Sequence, residues 1–155
     1  QRDEGGGRIV GEVCHFVDAL TFLCGSVPVE VSAITAQNCL DAVSILLRFA
    51  DGSTGTIVYS SLGDSAVAKE YVEVFGEGLV VQLDDFRQLT VTRNGKQTRT
   101  KAAQDKGQTA LVAAFVHCAR EGTAAPIPLA ELAAVTAATF AIEESLRIGG
   151  PVRVD

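Results

Sequence analysis

His15 is the residue whose type and setting best suit chemistry. It is one of two histidines in a chain of 155 residues. It sits in the stretch Gly5-Gly6-Gly7-Arg8-Ile9-Val10-Gly11-Glu12-Val13-Cys14-His15-Phe16-Val17-Asp18-Ala19, behind a glycine-rich lead-in and off the main apolar stripe of a helix. Imidazoles titrate near neutrality in water, so one on a polar helical face suits giving and taking a proton. Asp18, three residues on, shares that face and can orient or charge-stabilise the ring. Glu12 is the nearest carboxylate before it. Glu12 and Asp18 are therefore the candidate substrate-binding residues beside a catalytic His15. The other reading of a lone histidine is structural.

Other groups carry less chemistry. Cys14 adjoins His15, but adjacent helical residues point about 100° apart, so the pair does not meet on one helix. A Cys–His hydrolase would also need a reactive Cys14 thiol. His117, with Ala113, Ala114 and Arg120 as helix neighbours, reads as a solvated surface residue. Asp84-Asp85, with Glu77 nearby, can hold a cation or run glycosidic chemistry, yet at a strand end before Phe86 it reads as a solvated turn. Cys14, Cys24, Cys39 and Cys118 lack the Cys-x-x-Cys spacing of zinc and thioredoxin-type sites. No metal site is expected, and the thiols are expected reduced and buried, as in a cytoplasmic protein. The spacing Gly5-x-Gly7-x-x-x-Gly11 superficially resembles a dinucleotide loop. That mechanism needs a strand before the loop, and only four residues precede Gly5. No dinucleotide is expected to bind this chain alone.

Periodicity predicts a helix from Arg8 to Cys24, with Val10, Val13, Val17, Leu20 and Cys24 as its apolar stripe and Gly25 as its stop. Pro28 to Ala36 alternates like a strand through Val29, Val31 and Ala33. Val43, Ile45, Leu47 and Phe49 climb one arm of a hairpin, Asp51-Gly52 makes a two-residue turn, and Thr54 to Ser60 returns. That register sets Leu46 opposite Ile57, with Tyr59 on their face, as a surface for a partner subunit. Further strands are Glu70 to Phe75, Leu79 to Leu83, Gln88 to Arg93 and Lys96 to Lys101, with turns at Gly76-Glu77-Gly78 and Asn94-Gly95. Asp105 is placed to cap a helix, with Gln108 completing a capping box. Leu111, Val112, Phe115, Val116 and Ala119 form that helix's apolar face. A last helix from about Leu129 to Ile148 carries the stripe Leu132, Val135, Thr139, Ile142 and Leu146, and Pro151 to Val154 is an edge strand.

A run of strands followed by helices predicts an α+β fold, a large mostly antiparallel open sheet with helices packed on one face. A single domain over residues 1–155 is expected, and 47% hydrophobic residues suffice for its core. The net charge of −6 and the absence of basic runs argue against nucleic acid and anionic membrane as partners. No apolar run approaches the roughly 18 residues of a membrane span. Gln1 to Gly7 does not read as a signal peptide. The chain contains no Met, and it is expected to be a piece of a longer polypeptide.

Several segments, in order along nearly the whole chain, resemble the C-terminal domain of the Gfo/Idh/MocA oxidoreductases. They are Gly5-Gly6-Gly7, His15-Phe16-Val17-Asp18, Leu47-Arg48-Phe49-Ala50-Asp51-Gly52-Ser53, Glu73-Val74-Phe75-Gly76, and Glu144-Ser145-Leu146-Arg147-Ile148-Gly149-Gly150-Pro151-Val152. The resemblance implies a parent enzyme in which an N-terminal Rossmann domain, absent from this chain, binds NAD or NADP. The C-terminal α+β domain would contact a sugar, inositol or related polyol, and pack sheet to sheet into a homo-dimer or tetramer. His15 falls at the family's catalytic histidine. Many members carry an Asp four residues earlier, where this chain has Gly11. Glu12 is rotated from that position by about 100°. The alternative is a non-catalytic binding or assembly module that uses the open sheet face, a reading that Gly11 favours.

Overall fold

The computed structural model describes residues 7–36 and 39–154. A turn of π-helix, Ile9–Val13, leads into α1 (Cys14–Cys24). Then follow β1 (Pro28–Ala36), β2 (Cys39–Phe49), β3 (Thr54–Ser60), β4 (Tyr71–Gly76), β5 (Leu79–Asp84), β6 (Gln88–Arg93) and β7 (Lys96–Lys101). Helices α2 (Gln108–Glu121) and α3 (Leu129–Ile148) and the short β8 (Val152–Arg153) complete the order. The fold is α+β, with every strand pair antiparallel. The strands divide between two four-stranded sheets, ordered β3-β2-β1-β8 and β4-β5-β6-β7. The chain forms two compact units, one from the described residues up to Leu62 together with those from Ile127 onward, the other from Gly63–Pro126.

The first unit holds the main core. Helices α1 and α3 cover one face of its sheet. Val13 and Val17 meet Val31, Val43, Ile45, Leu47 and Phe49 from the strands and Val135, Ala138 and Ile142 from α3. Each large aliphatic side chain buried this way contributes roughly 1.5–3 kcal/mol. The stripe of α3 appears as its periodicity predicts at Val135, Thr139 and Ile142, while Leu132 stays exposed. Gly25 ends α1 in the left-handed conformation that the sequence predicts (φ 62°).

Three local expectations are corrected. The π turn makes the opening helix bury Ile9, Val13, Val17 and Thr21, and it lifts Val10 out of the stripe. The Cys14 N–H bonds to Ile9 O, five residues back, and this wider turn re-aims the residues inside it. The β2–β3 loop is one residue longer than Asp51-Gly52 implies. Phe49 N bonds Ser53 O, and Gly52 adopts φ 90°, the three-residue loop with a left-handed glycine. One residue of register flips every side chain to the opposite face. Leu46 therefore pairs with Thr56 and points outward, whereas Ile57 pairs with Ile45 and Tyr59 with Val43 on the helix-covered face. The outer face instead shows Ile34, Leu46 and Val58, the last two 53% and 76% exposed. Finally, Gly107 rather than Asp105 stands at the N-cap of α2, and Asp105 Oδ1 accepts the Gly107 N–H at 2.8 Å. The turn is closed by the aspartate itself, an alternative to capping that short acidic side chains favour.

In the second unit, Asn94 (φ 51°) and Gly95 (φ 70°) form the expected two-residue hairpin turn, with Arg93 opposite Lys96. Helix α2 buries none of its residues, and Phe115 is 61% exposed. No described helix is long and apolar enough to cross a membrane.

Ser145 joins three segments of the first unit. β8 pairs with β1 only at Glu30 and Val31, so Ala33 lies beyond the end of that ladder. Its N–H is accepted instead by Ser145 Oγ at 2.8 Å, and the same hydroxyl donates to Gly150 O at 2.6 Å. Ser145 is fully buried, so no water can replace it without rearrangement. Ser145→Ala is expected to cost about 1–3 kcal/mol, the penalty for stranding a buried backbone group. Urea unfolding, read as a lower midpoint at unchanged slope, checks this.

Candidate functional site

The candidate site lies in the first unit, where the π turn reaches the ends of β2 and β3. Gly55 in β3 lies beneath α1: a Cβ there would lie 2.8 Å from Leu20 Cδ1 and 3.3 Å from Phe49 Cε2, so Leu20 packs directly on the strand and would have to shift to admit a side chain. Tyr59 follows on the same strand face, beneath the opening helix. Its hydroxyl donates to Glu12 Oε2 at 2.5 Å. The Arg8 guanidinium binds Glu12 Oε1, and Arg8 Nε lies 4.0 Å from Asp41 Oδ1 on β2.

These contacts set the local electrostatics. The Tyr59 hydroxyl first, then Arg8, holds the Glu12 carboxyl below its ordinary 4.5. A positive charge on His15 acts in the same direction. The Glu12 carboxylate and burial together push the Tyr59 phenol above its ordinary 10. Glu12 is thus an anion, and Tyr59 a neutral donor, across the neutral range. Each Glu12 oxygen already accepts one hydrogen bond, which leaves about half of a carboxylate's four acceptor positions for a ligand.

His15 is exposed on the opposite side of α1 from the buried Val17. Asp18 is half-buried, and no hydrogen bond or ion pair joins it to His15. The charge of His15 reaches the Glu12 carboxyl. Gly11 is exposed within the π turn. The sequence does not single out Arg8, and the two-residue turn sets Tyr59 on the outer face. The alternation Gly55, Ile57, Tyr59 was the available signal, and it points inward once the hairpin loop has three residues.

The other candidates stay apart from this cluster. Burial pushes the Cys14 thiol up, away from the reactive thiolate that a Cys–His hydrolase needs. All four cysteines are free and half-buried. His117 is exposed. Asp85 (φ 47°) and Phe86 (φ 53°) form a tight loop in which Asp85 Oδ2 meets Arg87 Nε at 3.1 Å. Among the described residues, no three His, Cys, Asp or Glu side chains group to hold a metal ion. Gly5 and Gly6 of the glycine-rich lead-in lie outside the described residues. With every strand pair antiparallel, the described residues contain no parallel βαβ unit.

The model of the GFO/IDH/MocA C-terminal domain matches residues 1–81. The chain belongs to the GFO/IDH/MocA C-terminal domain family. No curated protein matches its sequence. Among solved structures similar to this family member is an oxidoreductase from Agrobacterium radiobacter in complex with NAD+, L-tartaric acid and magnesium. The match has 19% identity and a TM-score of 0.80 over 94% of this chain and 48% of that one. UDP-N-acetylglucosamine 3-dehydrogenase from Acidithiobacillus ferrooxidans matches at 15% identity and a TM-score of 0.80, over 95% of this chain and 50% of that one. Aldose-aldose oxidoreductase from Caulobacter crescentus, complexed with glycerol, matches at 19% identity and a TM-score of 0.74, over 90% and 45%. The likeness is one of fold, and this chain spans about half the length of these solved relatives.

The Glu12 cluster makes a pH prediction with a definite sign. Its folded carboxyl is held below 4.5, so its contribution to stability is present above that value and lost as pH falls through the lower folded one. Glu12→Gln should therefore flatten the acid limb of stability against pH, with the gap from the parent chain closing below 4.5. Urea midpoints measured down an acid series read this out; parallel curves would contradict it.

Proposed function

We propose that this chain is the C-terminal substrate-binding and oligomerisation domain of an NAD- or NADP-dependent oxidoreductase acting on a sugar, inositol or related polyol. Membership of the family carries the reading. A Rossmann domain preceding this one would hold the cofactor, consistent with the roughly half-length coverage of the solved relatives. The parent enzyme is read as cytoplasmic, and its partners as substrate, cofactor domain and further copies of itself.

In this reading His15 takes the proton from the hydroxyl being oxidised, or returns it in the reverse direction. An exposed imidazole is reachable by substrate and by water, which lets it recover its proton state between turnovers. Glu12, kept anionic by Tyr59 and Arg8, accepts hydrogen bonds from substrate hydroxyls. Asp18 sits further along the helix as a second polar contact. The outer face carrying Ile34, Leu46 and Val58 supplies the contact between copies.

Gly11 favours a second reading, in which the domain binds or assembles without catalysis. The two are separated by the upstream coding sequence, where a βαβ unit with Gly-x-Gly-x-x-Gly followed by Glu-Lys-Pro marks the enzyme. In the protein with its cofactor domain, His15→Ala is expected to reduce turnover by roughly 10²-fold or more. Steady-state NAD+ reduction checks it, and unchanged turnover removes His15 from the mechanism.

A further inference from the structure

The contact between Tyr59 and Glu12 is more than a surface ion pair needs. An exposed Arg–Glu pair four residues apart contributes little and leaves both side chains free to move. Here the Arg8–Glu12 pair is tied to a third group from another element. Tyr59 lies 47 residues away in sequence and is partly buried against the core. Its 2.5 Å hydrogen bond ends on one carboxylate oxygen while Arg8 ends on the other. Both oxygens of Glu12 are fixed, yet its side chain remains 45% exposed. Exposure combined with fixed geometry suits recognition, because the carboxylate meets a ligand without first losing rotamer freedom.

The chemistry narrows the ligand. The cationic partner of Glu12 is already present as Arg8, and Asp41 stands behind Arg8. The remaining acceptor positions therefore suit neutral donors. Two oxygens held side by side suit two neighbouring hydroxyls, the pattern of a polyol.

We infer that Tyr59 is a positioning residue: with Arg8 it fixes the Glu12 carboxylate three residues before His15, so that Glu12 takes two neighbouring hydroxyls of a polyol. This rests on the proposed role of the site in polyol oxidation. Tyr59 touches neither substrate nor reacting atoms. It acts through Glu12, and its loss leaves the carboxylate in place with Arg8 alone to hold it.

Two measurements test this. The chain has two tyrosines and no tryptophan, so Tyr71→Phe leaves Tyr59 as the only phenol. Its phenolate absorbance should titrate above 10, and adding Glu12→Gln should bring the midpoint back toward 10. An unmoved midpoint would overturn the contact on which the inference stands.

The second measurement uses the enzyme with its cofactor domain. It takes whichever of myo-inositol, glucose and xylitol supports NAD+ reduction. Tyr59→Phe, which keeps the ring in the core, should raise KM about tenfold with kcat changed by less than about threefold, and Glu12→Gln should raise KM at least as much. His15→Ala should act mainly on kcat. A Tyr59→Phe enzyme with lowered thermal stability and unchanged KM would make Tyr59 structural only and overturn the proposal. A raised KM for Tyr59→Phe alongside an unaffected His15→Ala would uphold it while removing His15 as the proton carrier. Reduction with none of the three would overturn the polyol reading itself, whatever the tyrosine titration shows.

Discussion

Ser145 Oγ accepts the Ala33 N–H at 2.8 Å and donates to the Gly150 carbonyl at 2.6 Å, so one buried hydroxyl joins β1 to the end of α3 and the segment after it. The strand β8 covers too little of β1 to satisfy Ala33, and a bare N–H in that core would cost about as much as a typical destabilising mutation. The hydroxyl thus replaces a missing length of strand. It also fixes the rotation of α3 about its axis, since only one face of the helix carries Ser145. That rotation directs Val135, Ala138 and Ile142 onto the sheet, and α1 packs against α3 and the same sheet. The position of Glu12 follows from this chain of contacts.

The site draws on two further constraints. Gly55 leaves room for Leu20 of α1 to pack against β3, and the π turn widens the helix where Glu12 projects. Together they let a tyrosine in the sheet reach a carboxylate on the helix. The energy of this arrangement is small, because Arg8 and Glu12 are about half exposed and water screens them. Its effect is on geometry and charge state. A hydrogen bond from a neutral phenol favours the ionised carboxylate without adding a second cation to the site.

Much of this architecture is legible in the sequence because local physics decides it. Asn94-Gly95 makes a hairpin turn from two residues that tolerate positive φ, Gly25 stops α1 for the same reason, and the stripe of α3 follows from its period. His15 and Glu12 stand out by residue type. What escaped depends on distant contacts. Asp51-Gly52 is equally compatible with a two- or a three-residue loop, and only the burial of Ile57 and Tyr59 under the helices selects the longer one. The π turn has no local signature, since Ile9 and Val10 offer similar apolar surface and tertiary packing chooses between them. Arg8 reads as a solvated charge until Tyr59 is known to face inward. The division into two sheets escapes for a related reason, because strand-like segments show alternation but not which neighbours they will pair with.

Gly11 gains a physical meaning from this cluster. A carboxylate at position 11 would stand next to one that is already anionic, and two like charges in one small site push one of them toward its neutral form. Glu12 accepts from both available donors, Arg8 and Tyr59, so a second acid would have neither to compensate it. Glycine adds no charge. It also leaves the backbone of the π turn unencumbered, where the hydrogen bond from Cys14 N–H to Ile9 O spans a wider loop than an α-helix uses. Gly11 and the clamp on Glu12 are therefore compatible parts of one arrangement, with the Glu12 charge held at the neighbouring position by Tyr59 and Arg8.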